Sequence, residues 1–173
     1  MEVLIEFGKI LLPASVVLYA VYLIVRSFII KEIEIKKLEV RSRSIETTLP
    51  VRLQAYERIT LFLERISPQN LLLRLSDPGY KARDFQKILL DEIRNEYNHN
   101  VSQQVYMSEE VWSLVRNARE DLIMLINEAA SKMTADSNAV DLSKKIFEMT
   151  LEKKVDPIGH ALSELKKEIQ QTF

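Results

Sequence analysis

Glu92, Glu96 and His99 are the residues of this chain whose types and spacing could do chemistry. At i, i+4 and i+7 they share one face of a helix. Glu96 and His99 make an E-x-x-H pair, the spacing by which a di-iron four-helix bundle aims a carboxylate and an imidazole at one metal. Such a centre needs a second E-x-x-H and two more inward carboxylates. The other histidine, His160, has Pro157 three residues before it, so the second half is missing. His99 also falls at the end of its predicted helix, where an imidazole beside the terminal carbonyls is a structural placement.

Other motifs carry less. Ser163–Lys166 matches the S-x-x-K of penicillin-binding enzymes without its partner motifs, and Asn100–Ser102 matches a glycosylation acceptor that means nothing in a cytosolic domain. There is no GxGxxG, GxxxxGK[ST] or GxSxG, and the three glycines, Gly8, Gly79 and Gly159, stand too far apart to build a phosphate-cradling loop, so an NTPase or dinucleotide enzyme is not expected. The absence of cysteine removes disulfides, thiolate nucleophiles and cysteine-based metal sites together. A net charge of −1 argues against a general nucleic-acid binder, which needs a cationic surface to displace counterions. The expectation is therefore no enzyme, no cofactor, no metal and no nucleic acid.

The element that must position everything else is Ile10 to Ile30, ILLPASVVLYAVYLIVRSFII. Its 21 residues at about 1.5 Å each give roughly 31 Å, close to the hydrocarbon thickness of a bilayer. Val16 to Val25 is apolar around the whole circumference, whereas a soluble packing helix shows a polar face. Arg26, the one charge within the segment, lies about one turn from its end, where a guanidinium can reach the headgroups. No basic cluster precedes the run and no small-x-small site follows it, so a cleaved signal peptide does not fit. Pro13 is tolerated in the first turn of a helix opening near Ile10. A helix starting at Val3 would put Pro13 in its interior and should kink there.

Lys9 stands alone on the N-terminal side, beside Glu2 and Glu6, while Lys31, Lys36, Lys37, Arg41 and Arg43 come after the apolar run. The positive-inside bias then puts residues 1–9 outside and everything after the span in the cytoplasm. Residues 31–49 read as a continuing helical stalk. A heptad frame over it places Phe28, Ile35, Ser42 and Leu49 at one seam position and Lys31, Leu38 and Ile45 at the other. A parallel coiled coil fits this frame, and so does a charged helix lying along the domain or on the headgroups.

Residues 50–173 are enough for one domain with its own core. Thr48 and Pro50 restart the helix pattern, with Leu53, Tyr56, Ile59, Phe62, Leu63 and Ile66 on one face. Ser67 caps a short helix that opens at Pro68 and carries Leu71, Leu72, Leu73 and Leu75 in nearly every direction; these leucines are either core or a surface awaiting a partner. Ser76–Gly79 breaks the chain. The next helix runs from about Lys81 to Tyr97, with Phe85, Ile88, Leu89, Ile93 and Tyr97 on its stripe. Val101 to Met107 is open between extended chain and a helical turn. Ser108 caps the surest helix, with Trp112, Val115, Leu122, Leu125, Ile126 and Ala129 inward. Ala139 to Lys154 forms another, through Val140, Leu142, Ile146, Phe147 and Leu151, and Asp156–Pro157 opens the last, through Ile158, Ala161, Leu162, Leu165 and Ile169. The fold class is all-α: a transmembrane helix, a stalk and a bundle of five or six helices.

LQAYERITLFLERISPQNLLLRL and EYNHNVSQQVYMSEEVWSLVRNA resemble segments of an uncharacterised bacterial family of small single-pass membrane proteins. The likeness covers most of the chain and implies a bacterial inner-membrane location, with no activity, cofactor or catalytic residue to carry over. It draws attention to Asn98–Met107, whose Asn98, His99, Asn100, Ser102, Gln103 and Gln104 form either a contact surface or a hydrogen-bonded loop between helices.

Three functional readings fit these observations. The favoured one is a non-enzymatic, membrane-tethered adaptor or accessory subunit that offers a cytosolic surface to another protein, with Leu71, Leu72, Leu75, Asn98, His99, Asn100, Gln103 and Gln104 as candidate contacts. The second is a homo-oligomer assembled through the stalk. The third, and weakest, is a metal-dependent enzyme using Glu92, Glu96 and His99.

Overall fold

The computed structural model describes residues 2–152 and 156–172, without the side chains at 2–8, 10, 12, 13, 41, 44 and 172. Among the described residues the chain is all-helical. It divides into two units, Met1–Leu49 and Pro50–Phe173.

A single helix, α1, runs from Glu2 to Ile66. It begins well before Ile10, so Pro13 lies in its interior, not in its first turn. Thr48 and Pro50 do not restart it either. The threonine hydroxyls turn back onto the preceding turn, Thr47 donating to the Arg43 carbonyl at 2.9 Å and Thr48 to that of Ile45 at 3.5 Å, so no cap forms and the helix passes through Pro50.

In the first unit every residue from Ala14 to Ile30 is exposed, and the helix is long and apolar enough there to cross a membrane by length and composition. The second unit has a core. Ala55, Tyr56, Ile59, Phe62, Leu63 and Ile66 line the buried face of the end of α1 at i, i+1, i+4, i+7, i+8 and i+11. Leu53, expected on that face, is 39% exposed at its edge.

Ser67 ends α1 instead of capping the next helix: its Oγ donates to the Glu64 carbonyl at 2.8 Å, and Asn70 donates to the same oxygen at 2.9 Å. Pro68 opens α2, Pro68–Leu75, because its missing N–H falls where a helix has no acceptor for it. Helix α3 spans Ala82–Asn100 and passes into a 3-10 turn, Val101–Tyr106, which settles the conformation of that stretch. Ser108 caps α4, Glu109–Ser131, accepting from the Val111 amide at 3.2 Å. Asn138 caps α5, Ala139–Glu152: its Oδ1 accepts from the Asp141 amide at 3.1 Å while Asp141 accepts from the Asn138 amide at 3.0 Å, a reciprocal box. Lys153 and Lys154, the expected end of this helix, lie outside the described residues. Helix α6, Pro157–Thr172, starts on Asp156, whose carboxylate accepts from the Gly159 amide at 2.9 Å. A Cβ at position 159 would press on that carboxylate, so any larger residue there requires the Asp156 side chain to shift.

Helix α4 is the centre, packing on α3, α5 and α6 and burying eight residues from Val111 to Ala129. The starts of α3 and α5 are pinned together, Ala82 N–H donating to the Ser137 carbonyl and Ala139 N–H to that of Tyr80, each at 3.0 Å. Tyr97 stacks on Trp112 and meets Phe62 at a tilt of 59°, and the Arg119 guanidinium lies 3.9 Å from the Tyr97 ring centre. No charged residue falls in the buried class among the described residues, and the core is built of hydrophobic side chains. Leu151 is a correction: it is 85% exposed, and Met149 takes the inward place because the stripe of α5 runs Leu142, Ile146, Met149.

Candidate interaction site

The three residues that could bind a metal are engaged elsewhere. Helix α3 places Glu92 and Glu96 one turn apart, facing Arg65 at the end of α1 and Arg74 on α2. Arg65 holds the Glu96 carboxylate at 2.6 Å and reaches Glu92 at 3.8 Å, and Arg74 pairs with Glu92. Two guanidinium groups thus stand where a cation would be bound, and they tie α1 and α2 to α3. With Arg65 half exposed, each pair contributes about 1 kcal/mol or less. His99 is exposed and its Nδ1 is 2.8 Å from the Asn95 carbonyl, the helix-end placement expected of it. Among the described residues no three His, Asp or Glu side chains are grouped to hold a metal.

The leucines of α2 divide. Leu71 and Leu72 are 1% and 2% exposed, so both leave the candidate surface: α2 packs on α3 and α5 and drives them into the core. Leu75 is half-buried against that core. Leu73 is the one that faces solvent, at 75%.

The polar block at the end of α3 and in the turn that follows is a surface. Asn98, His99 and Gln104 are exposed; Asn100 and Gln103 are half-buried. Asn100 donates to the Glu96 carbonyl at 2.8 Å, which closes the end of α3, and Gln103 donates to the Ser102 hydroxyl at 3.2 Å. Across from this turn, Val51, Gln54 and Arg58 of α1 form one wall of an open groove, and Ser102, Gln103, Val105 and Tyr106 form the other. Val105 is 74% exposed at its rim. The groove therefore offers apolar contact, amide hydrogen bonding and one guanidinium together.

Beneath the groove is a polar tie that sequence reading missed. Arg52 donates through Nε to the Tyr106 carbonyl at 3.2 Å and through Nη2 to the Tyr56 hydroxyl at 2.9 Å. Tyr56 in turn donates to Glu168 Oε1 at 2.7 Å. The Ser108 amide donates to the same oxygen at 3.0 Å, and the Ser108 hydroxyl donates to Oε2. One carboxylate on α6 thereby clamps α1 to the start of α4. Burial pushes the Glu168 carboxyl up, but the hydrogen bonds from Ser108 and Tyr56 and the charge of Arg52 outweigh it and hold it below the ordinary value. Burial, then the neighbouring carboxylate, raises the Tyr56 phenol. A signal was present in the sequence: Glu168 falls three residues after Leu165, on the apolar stripe of its helix, where a carboxylate needs donors.

No match to the chain was found among curated proteins or among solved structures. A family profile does match it, over residues 2–172, nearly its whole length. The chain therefore belongs to DUF7935, a family of unknown function.

Proposed function

We propose that this protein is a non-enzymatic, membrane-anchored helical adaptor or accessory subunit. Its anchor is the apolar part of α1 in the cytoplasmic membrane of a bacterium, with the N-terminus outside and Pro50–Phe173 in the cytoplasm. The observation that carries this reading is the exposure of the apolar run: Val16, Leu18 and Ile24 are 67%, 70% and 68% exposed, on a helix with no polar face to turn outward. In water such a surface is costly, and lipid removes the cost. The flanking cations support the orientation: Arg26, Lys31, Lys36, Lys37 and Arg43 are all exposed, and Arg41 belongs to the same cluster by sequence.

Tethering raises the local concentration of the bundle at the membrane, so a modest surface suffices for a membrane-bound protein partner. The groove between α1 and the turn at Val101–Tyr106 is that surface, with Gln103, Val105 and Arg58 as contacts and the exposed Gln104 beside it. A photoreactive residue at position 105 of the full chain in native membranes should give one discrete crosslinked adduct, lost on Arg58→Glu. Adducts of no defined mass, or none above background, would remove the adaptor reading, and release of the chain by alkaline carbonate would remove the anchor.

A further inference from the structure

Past the proposed bilayer span, residues 31–49 add 19 residues to α1, about 28 Å of rise. Because α1 is unbroken from Glu2 to Ile66, a helix that crosses the bilayer cannot turn at Ile30 to lie along the headgroups. The apolar side chains of this stretch therefore stand clear of lipid. Ile35, Leu38 and Ile45 are 64%, 68% and 51% exposed, and Phe28, still within the proposed span, is 67% exposed. They sit at the seam positions of one heptad frame, completed by Lys31, Ser42 and Leu49.

Charge at the edges of that seam says what covers it. Glu32, Glu39 and Glu46 occupy the whole row next to the second seam position; Glu34 and Arg41 lie on the opposite edge. In an antiparallel pair each edge meets its own kind, so the glutamate row would face another glutamate row. In a parallel, in-register pair, the edges meet crosswise, one heptad on: Arg41 falls opposite Glu46 of the other copy, an attractive pair, and Glu34 opposite Glu39, a like-charge pair that Arg43, bridged to Glu39 at 2.8 Å, partly offsets. Membrane insertion in one orientation also enforces the parallel arrangement. We infer that a second copy of this chain covers the stripe of Ile35, Leu38, Ser42 and Ile45 in a parallel, in-register coiled coil, an inference that rests on the proposed anchor. Ser42, small and polar within an apolar seam, favours one register over its neighbours.

The chain contains no cysteine, so single cysteines report directly. Leu38→Cys and Ile45→Cys on the seam are compared with Lys36→Cys and Val40→Cys on the outer faces, in the full chain in native membranes under mild oxidation. Seam positions should form a disulfide-linked species of twice the chain mass about tenfold faster than the outer ones, since the bond forms only at close Cβ separation. All four variants should retain parental helicity by circular dichroism. Equal rates at all four sites, faster linkage at Val40→Cys, or adducts of a mass other than twice the chain would overturn the pairing. Carbonate extraction of the same membranes separates the two readings: retained chain with position-independent linkage sinks the pair alone. Released chain sinks the anchor, and the pair is then judged by the same rate ratio.

Discussion

Ile24 and Ile59 lie on one helix and meet opposite surroundings. Ile24, in the first unit, is 68% exposed; Ile59, in the second, is 0% exposed. Residue type and backbone are the same, so neither accounts for the difference. Around Ile24 the helix is apolar on all sides, and no single stripe could satisfy it. Around Ile59 the apolar residues recur on one face, with Glu57, Arg58 and Leu61 turned out, and that face is part of one contiguous core shared with the other helices of the second unit. A one-sided helix is completed by its own chain, whereas an all-round apolar helix asks for a different solvent.

Two acidic substitutions in the first unit test this most severely. Leu18→Asp with Val21→Asp should cost roughly 6 kcal/mol of membrane insertion, at about 3 kcal/mol for each carboxylate near the centre of a span. The chain should move from the carbonate-resistant pellet to the extracted fraction while the urea midpoint of the bundle stays unchanged. A pellet fraction equal to that of the parent would break the distinction between the two halves of α1.

The converse substitution is Ile59→Ala, which removes buried methyls and leaves a cavity where α1 meets the core. It should lower stability by about 3 kcal/mol with an unchanged denaturant slope and unchanged membrane retention. Urea titration monitored by the fluorescence of Trp112 reads it, because that indole is 4% exposed in the same core. A shift below about 1 kcal/mol would mean that the face of α1 around Ile59 is not a packed surface.

A smaller effect belongs to the polar tie. Glu168→Gln should cost about 1 to 2 kcal/mol near neutral pH, because a charge-assisted acceptor becomes a neutral one. The sign of its pH dependence comes from the lowered carboxyl. The folded state binds this proton less readily than the unfolded state, so the contribution is complete above the ordinary value of 4.5 and disappears as pH falls through the lower folded value. Midpoints measured from about pH 6 to about pH 3 should fall more steeply for the parent than for Glu168→Gln. Equal slopes would show that Glu168 does not hold α6 to α1 and α4 as an anion.

Much of the bundle was legible because helix periodicity and caps are local. Ser108 with Glu109 and Glu110 announces α4, Pro68 and Pro157 announce α2 and α6, and the inward residues of α4 keep to its 3.6-residue repeat. Failures occurred where the same local signal has two uses. Ser67 before proline looks like a cap but closes the helix behind it, since its hydroxyl reaches the Glu64 carbonyl first. Thr48–Pro50 looks like a start, yet the threonine hydroxyls turn backward and α1 continues. Leu151 is apolar but lies on the face of α5 opposite its Leu142, Ile146 and Met149 stripe, and is left in solvent.

The candidate site was half legible. Asn98–Gln104 reads from sequence as a polar block, and two of its residues, Ser102 and Gln103, line one wall of a groove. The other wall, Val51, Gln54 and Arg58, is about fifty positions earlier in the chain, and no local spacing links it to the block. Likewise the spacing of Glu92, Glu96 and His99 permits a metal, and only the approach of Arg65 and Arg74 from other helices assigns the two carboxylates to ion pairs.

By itself, then, the order of residues determined the all-helical class, the apolar run of α1 and the inward stripe of each long helix, because these depend on a repeat that any isolated helix would carry. Tertiary structure alone decided which leucines of α2 are covered, that Glu168 receives hydrogen bonds from Tyr56 and Ser108, and that α1 and the turn after α3 face each other across a groove. Those outcomes depend on which helices become neighbours, and neighbours distant in the chain are chosen by the packing of the whole core rather than by any local spacing.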